Sequence, residues 1–144
     1  ALSEDLQTVF SAVLLNSDED AVARMLRHPA SLVSLSDAGA HLTFFNDAGF
    51  GLHLLGHWVR ERGVLELPEA VRKLTSEPAD LFGIRDRGRI VPGAWADLLL
   101  FEPSSSTLAG ESWYSKGQNC PFLGHCLPGK VRYTLMDGRI SYQG

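Results

Sequence analysis

Asp37 and His41 are the two side chains placed where chemistry is usually done. The short apolar stretch Ser31-Leu-Val-Ser-Leu-Ser36 opens into the loop Asp37-Ala-Gly-Ala-His41. A strand ending there sets the Asp37 carboxylate at its C-terminal edge, the edge that carries the active site in barrel and open α/β enzymes. His41 adds an imidazole to the same loop, so the pair offers the elements of proton transfer or metal ligation. Both have a plainer reading. An Asp after a strand is more often a turn former or helix cap, and a loop histidine can bond to backbone. His53 and His57 share a helix face at the i, i+4 spacing of a zinc-binding helix, but the intervening Leu-Leu-Gly lacks the Glu of His-Glu-x-x-His, so they read as packing. Gly49-Phe-Gly51 has neither a third glycine nor a following Lys-Ser/Thr, which excludes a phosphate loop. Ser34 and Ser36 lack the context of a nucleophile elbow. Cys120 and Cys126 are too few for a disulfide framework and read as free thiols in structural roles.

The elements that must position these groups change character along the chain. Residues 4–15 place Leu6, Val9, Phe10, Val13 and Leu14 at helical spacing, with Ser3 as N-cap and Glu4 and Asp5 where the helix dipole favours acids. Ser17-Asp-Glu-Asp20 has the form of a capping box before a second helix that ends near His28-Pro29. A strand over Leu32–Leu35 precedes the Asp37 loop. Leu52–Arg62 predicts a helix with Gly63 as its stop, Pro68 starts another to about Thr75, and Pro78–Phe82 adds a turn closed by Gly83. From Arg89 to Phe101 the pattern reads strand, turn, strand. A loop of about 28 residues follows, long for a compact domain. The end is a hairpin: Val131–Met136, an Asp137-Gly138 type I′ turn, and Arg139–Tyr142, with Val131, Tyr133 and Leu135 on one face.

Composition limits the classes of function. The 144 residues are 44% hydrophobic and 21% charged, which excludes wholesale disorder. The longest strongly apolar runs, Ala12–Leu15 and Leu98–Phe101, fall far short of the roughly 20 residues of a membrane span or the roughly 7–15 of a signal-peptide core. The opening residues are acidic rather than basic. A soluble, cytoplasmic protein without a membrane partner is expected. Net charge is −4, and the single basic knot, Arg85-Asp-Arg87-Gly-Arg89, is interrupted by an acid, so nucleic acid is not an expected partner.

Longer stretches resemble the C-terminal portion of metal-dependent amidohydrolases. Ser36-Asp37-Ala-Gly-Ala-His41 is similar to the loop after that superfamily's last barrel strand. Leu54-Leu-Gly-His-Trp-Val-Arg-Glu-Arg-Gly63 and Glu69–Gly83 resemble the N-acyl-D-amino-acid deacylase branch. Arg87-Gly-Arg-Ile-Val-Pro-Gly-Ala-Trp-Ala-Asp-Leu-Leu-Leu-Phe101 resembles the signature with which the chain re-enters a small β-sandwich. The tail, with Ser115-Lys116, Asn119-Cys-Pro-Phe122, Gly124, Leu127 and Gly129-Lys-Val131 through Thr134 and Gly138, is more similar to dihydroorotases and allantoinases, which act on cyclic amides. The resemblance covers residues 18–142.

What the resemblance implies is an α/β fold: the C-terminal segment of a (β/α)₈ barrel over residues 1–84 and a small β-sandwich subdomain over 85–144. The implied activity is metal-dependent hydrolysis of non-peptide C–N amide bonds in a small molecule, with N-acyl-D-amino acids as the substrate class. Asp37 is then the catalytic proton-transfer group and a metal ligand. His41 supports the loop or touches substrate. The implied cofactor is zinc, but His28, His41, His53, His57 and His125 contain no His-x-His pair, and the other family ligands come from earlier strands. One last strand with its flanking helices cannot close a barrel. The chain alone is therefore expected to be inactive, without tightly held zinc, and to self-associate or pair with the missing barrel part. The competing expectation is a non-catalytic interaction or dimerisation module.

Overall fold

The structure, a computed structural model, describes residues 15–34, 49–111, 116, 120 and 122–144. The expected helix over 4–15, except for Leu15, lies outside them, as do Asp37 and His41. The chain divides into two compact units, Ala1–Ser31 and Leu32–Gly144.

In the first unit, Asp18 accepts the backbone N–H of Ala21 on its Oδ1 at 3.0 Å. Helix α1 (Glu19–Arg27) thus begins one residue later than a Ser17 cap would set it. A carboxylate at this position both caps an orphan N–H and meets the positive end of the helix dipole. Glu19 and Asp20 in the first turn and Arg24 and Arg27 in the last follow the same polarity. The helix ends at His28, whose extended backbone is what a following proline imposes.

The second unit opens on Leu32–Ser34, the described part of the expected Leu32–Leu35 strand, which pairs with no strand among the described residues; Leu35 lies outside them. A strand needs a ladder, and the three strands of the described residues pair among themselves further along the chain. Helix α2 (Phe50–His53) runs on into an eight-residue π-helical segment, Leu54–Glu61. Arg62 N–H reaches the His57 carbonyl at 2.9 Å, five residues back, and Gly63 leaves the helix at φ +58°. The period of Leu52, Leu55 and Val59 predicts the helix but not its wide turn. Helix α3 (Leu67–Leu74) takes Pro68 at its second position, and α4 (Ser76–Leu81) ends at Phe82 with Gly83 at φ +70°. These helices hold the unit's core: Leu54, Trp58, Leu65, Ala70 and Ala79 are buried, with Lys73 laid among them and its ammonium 3.5 Å from Glu77.

Between α4 and the sheet, polar side chains tie the loop together. Trp95 donates its Nε1–H to Asp86 at 2.9 Å, Arg87 lies 5.2 Å over the Trp95 ring and pairs with Asp97, and Arg89 meets Asp80 at 2.6 Å. Two of the three arginines in the basic knot are thereby engaged. Ile90–Val91 is not a strand. The Val91 carbonyl accepts Ala94 N–H at 3.2 Å around Pro92-Gly93, with Gly93 at φ +88°, so a tight turn takes the bond a ladder would need.

The sheet is antiparallel in the order β1 (Leu98–Leu108), β2 (Cys126–Met136), β3 (Arg139–Gln143). The first two strands extend well into the segment read from sequence as loop; Thr107 donates its hydroxyl to the Gly129 carbonyl at 2.8 Å. Serines and threonine tolerate a solvent-facing strand that apolar alternation does not reveal. Leu98 stands opposite Leu135, Leu100 opposite Tyr133 and Phe101 opposite Val131, with a bulge between Leu100 and Phe101. Strict alternation would put Val131, Tyr133 and Leu135 on one face, but the extra β2 residue at the bulge sets Val131, paired with Phe101, on the opposite face from Tyr133 and Leu135; Ile140 lies opposite Leu135 on the latter face. The last turn is as expected, with Asp137 at φ +52° and Gly138 at φ +71°.

Candidate functional site

Because Asp37 and His41 fall outside the described residues, the structure does not place the principal sequence-derived pair. The residues just before them in the chain are described. Leu32, Val33 and Ser34 line an open hollow of about 520 Å³, together with Phe50, Leu55, Leu74 and Phe82. Among the described residues no titratable side chain lines this hollow.

The second sequence-derived pair is fully placed. The His53 and His57 rings stack with centroids 5.0 Å apart and planes 9° from parallel, and Trp58 stands edge-on, 4.9 Å from His57. His57 Nδ1 lies 2.8 Å from Glu61 Oε2, one helical step along. The packing reading of these histidines holds in that Trp58 is buried beneath them. Both rings also border a groove of about 380 Å³ between the π-helical segment and the sheet. Arg60, which donates to the Pro103 carbonyl, and Lys130 are among the residues that border the same groove. Sequence reasoning missed both: they lie 70 positions apart, and neither belongs to a spacing pattern that marks a site.

Across the sheet, Glu102 accepts Arg132 Nε at 2.9 Å and a second bond from the same guanidinium. That hydrogen bonding, and then the Arg132 charge, holds the Glu102 carboxyl below its ordinary value, with Ser104 and Lys130 adding to the effect. Cys120 and Cys126 are free thiols, one half-buried and one exposed, as read from their number. Among the described residues no helix is long and apolar enough to cross a membrane.

A family model described as the amidohydrolase family matches residues 4–142. The chain belongs to the amidohydrolase family. Among its relatives, a dihydroorotase-like protein of Pseudomonas aeruginosa is 56% identical over 82 residues, 57% of this chain and 19% of that protein. A dihydroorotase of Syntrophus aciditrophicus is 44% identical over 82 residues, 56% of this chain and 19% of its own length. A dihydroorotase of Streptococcus thermophilus is 32% identical over 129 residues, covering 89% of this chain and 27% of that protein. This amidohydrolase chain thus spans between a fifth and about a quarter of the length of these curated relatives.

The zinc that the resemblance implies needs at least three protein ligands brought to one point. Among the described residues no three His, Cys, Asp or Glu side chains gather in that way. The stacked pair supplies two imidazoles, and one nitrogen of His57 is already committed to Glu61. The described part of this amidohydrolase chain does not fit a metal centre by itself.

Proposed function

We propose that this chain is the C-terminal part of a zinc-dependent amidohydrolase that opens cyclic amides of the dihydroorotate kind. On this reading residues 1–84 complete a (β/α)₈ barrel and 85–144 contribute to a β-sandwich. The observation that carries it is the similarity that runs through nearly the whole chain to a protein named dihydroorotase. The tail from Ser115 to Gly138 supports the same substrate class, since it resembles cyclic amidohydrolases. Asp37 takes the proton-transfer role and a place in the metal set, and His41 lies toward substrate. The remaining ligands come from chain outside these 144 residues. The free thiols of Cys120 and Cys126 agree with a cytoplasmic setting.

A second reading, hydrolysis of N-acyl-D-amino acids, is favoured by Leu54–Gly63 and Glu69–Gly83, which resemble the deacylase branch. The non-catalytic module is a third, favoured by the exposed apolar side chains of the sheet. The test begins with the reading frame upstream of Ala1, where a His-x-His pair is expected. The full-length protein is then purified, its zinc measured, and its turnover of dihydroorotate compared with that of N-acyl-D-amino acids. Ring opening supports the proposal, deacylation alone selects the second reading, and no turnover with no zinc selects the third.

A further inference from the structure

His53 and His57 take no part in the reaction proposed for this chain, yet their surroundings are those of metal-binding imidazoles. The two rings lie 5.0 Å apart, at the i, i+4 spacing that brings side chains to one face of a helix. Glu61 Oε2 stands 2.8 Å from His57 Nδ1, and a carboxylate only accepts, so Nδ1 carries the proton. The lone pair of the neutral ring is then on Nε2. A carboxylate placed in this way fixes the tautomer of metal-ligating histidines and raises their basicity. Trp58, itself buried, stands edge-on to both rings, 4.9 Å from His57 and 6.2 Å from His53.

The ring planes are 9° from parallel, so one ring has to turn before both aim at a single point. His53 can make that turn. It is exposed, its ring makes no hydrogen bond among the described residues, and χ2 of an imidazole is a broad torsion. His57 stays pinned by Glu61. Both rings border the groove of about 380 Å³, which has room for an ion and its waters.

Two imidazoles are one ligand short of a resident zinc centre. They are enough to chelate an exchangeable ion whose other positions are filled by water. Imidazole suits the late first-row divalent ions, with Cu²⁺ held tightest and Ni²⁺ and Zn²⁺ below it.

We infer that His53 and His57 together chelate one exchangeable divalent transition-metal ion, with Glu61 as the positioning residue behind His57. The site uses neither Asp37 nor His41 and does not depend on the substrate assigned above.

The experiment titrates Ni²⁺ by calorimetry into the 144-residue chain carrying Cys120→Ser and Cys126→Ser, so that thiols do not compete. Thermal melts of each variant are recorded alongside. One saturable Ni²⁺ per chain is expected, and Mg²⁺, which prefers oxygen ligands, should not compete for it. His53→Ala and His57→Ala should each weaken Ni²⁺ at least about tenfold, since a single imidazole loses the chelate, and should keep the metal-free melt. Glu61→Ala should weaken it about tenfold. Glu61→Gln, which keeps an acceptor for the Nδ1 proton, should recover part of that loss. If a histidine variant unfolds, the chain with both histidines decides: trace Cu²⁺ should broaden the ring-proton NMR signals of His53 and His57 together, before those of His28 and His125. The proposal is overturned by no saturable Ni²⁺ binding, by binding that survives either histidine variant, or by Cu²⁺ broadening that begins at another histidine. Ni²⁺ binding unchanged in Glu61→Ala would overturn the part given to Glu61.

Discussion

Asp97 accepts the backbone N–H of Asp137 on its Oδ1 at 2.8 Å, across 40 positions of sequence. Its other oxygen pairs with Arg87, and Gly138 N–H reaches the Ala96 carbonyl at 3.0 Å beside it. The Gly-Ala-Trp-Ala-Asp run at 93–97 thus clamps the type I′ turn of the final hairpin to the start of β1. This gives the aspartate of the family-like signature a structural task in this chain. A turn with two left-handed residues needs an external acceptor for the N–H it turns outward.

Asp97→Ala removes that acceptor and the Arg87 partner together. Loss of about 1–2 kcal/mol of stability is expected, the range for a hydrogen bond to a partly exposed charged group. Asp97→Asn, which keeps an acceptor oxygen, should lose less. Urea unfolding of the three proteins measures both, and equal midpoints would deny the clamp.

Glu102 predicts a pH dependence of definite sign. Arg132, by hydrogen bonding and by charge, lowers the Glu102 pKa in the folded state below its ordinary value. A group depressed on folding binds fewer protons folded than unfolded. Its stabilising contribution is therefore full above the ordinary carboxylate pKa and is lost as pH falls through the folded value. In Arg132→Gln the Glu102 carboxyl should titrate back toward its ordinary position, followed by its carbon chemical shift. A titration that does not move would assign the shift to something other than Arg132.

Much of this fold could be read in advance, and the failures share a cause. Pro68, Gly63, Gly83 and Asp137-Gly138 marked their boundaries because each acts through its own backbone dihedrals. The expected strands over Leu32–Leu35, of which Leu32–Ser34 is described, and over Ile90–Val91 form no ladder among the described residues, because apolarity does not report whether a ladder partner exists. The long arms of β1 and β2 were hidden behind Ser104, Ser105 and Ser106, whose polarity suits a loop as well as an exposed strand. At the site, the His53 and His57 spacing was visible as i, i+4, but their shared groove was not. Lys130 and Arg60 both border it only through tertiary packing.

The sheet predicts self-association of the isolated chain. Leu98, Leu100 and Ile140 lie on the face shared by Tyr133 and Leu135, and Leu100 and Ile140 are 49% and 61% exposed. No residue of β1, β2 or β3 is fully buried. Covering such side chains is worth about 1.5–3 kcal/mol each, and among the described residues β1 and β3 also leave open edges. Light scattering should give a mass above 15.8 kDa that Leu100→Lys with Ile140→Lys returns to the monomer. A monomer across the accessible concentrations would mean the face needs no cover.

Asp37 carries the mechanistic prediction, which rests on the family resemblance of its loop. In the full-length protein Asp37→Asn should lower turnover by several orders of magnitude with little change in KM, because an amide cannot take up and deliver the proton. His41→Ala should act chiefly through KM. Turnover that survives Asp37→Asn would remove this residue from the reaction.

Gly88, within the same signature as Asp97, is required for two separable reasons. Its φ is +81°, and a Cβ there would stand 2.9 Å from the Ala79 Cβ and 2.9 Å from the Thr75 carbonyl oxygen. Neither neighbour can yield cheaply. Thr75 O accepts Ala79 N–H at 3.2 Å where α4 begins, and Ala79 is buried. Gly93 isolates the first reason, since its φ is +88° but an added Cβ meets nothing within 4 Å. Gly93→Ala should therefore cost about 1 kcal/mol, the conformational strain alone. Gly88→Ala should cost at least twice that, because the loop must also lift off the start of α4. Denaturant midpoints of the two variants decide it: equal losses would mean that φ alone accounts for Gly88 and that its seat against Thr75 and Ala79 contributes nothing.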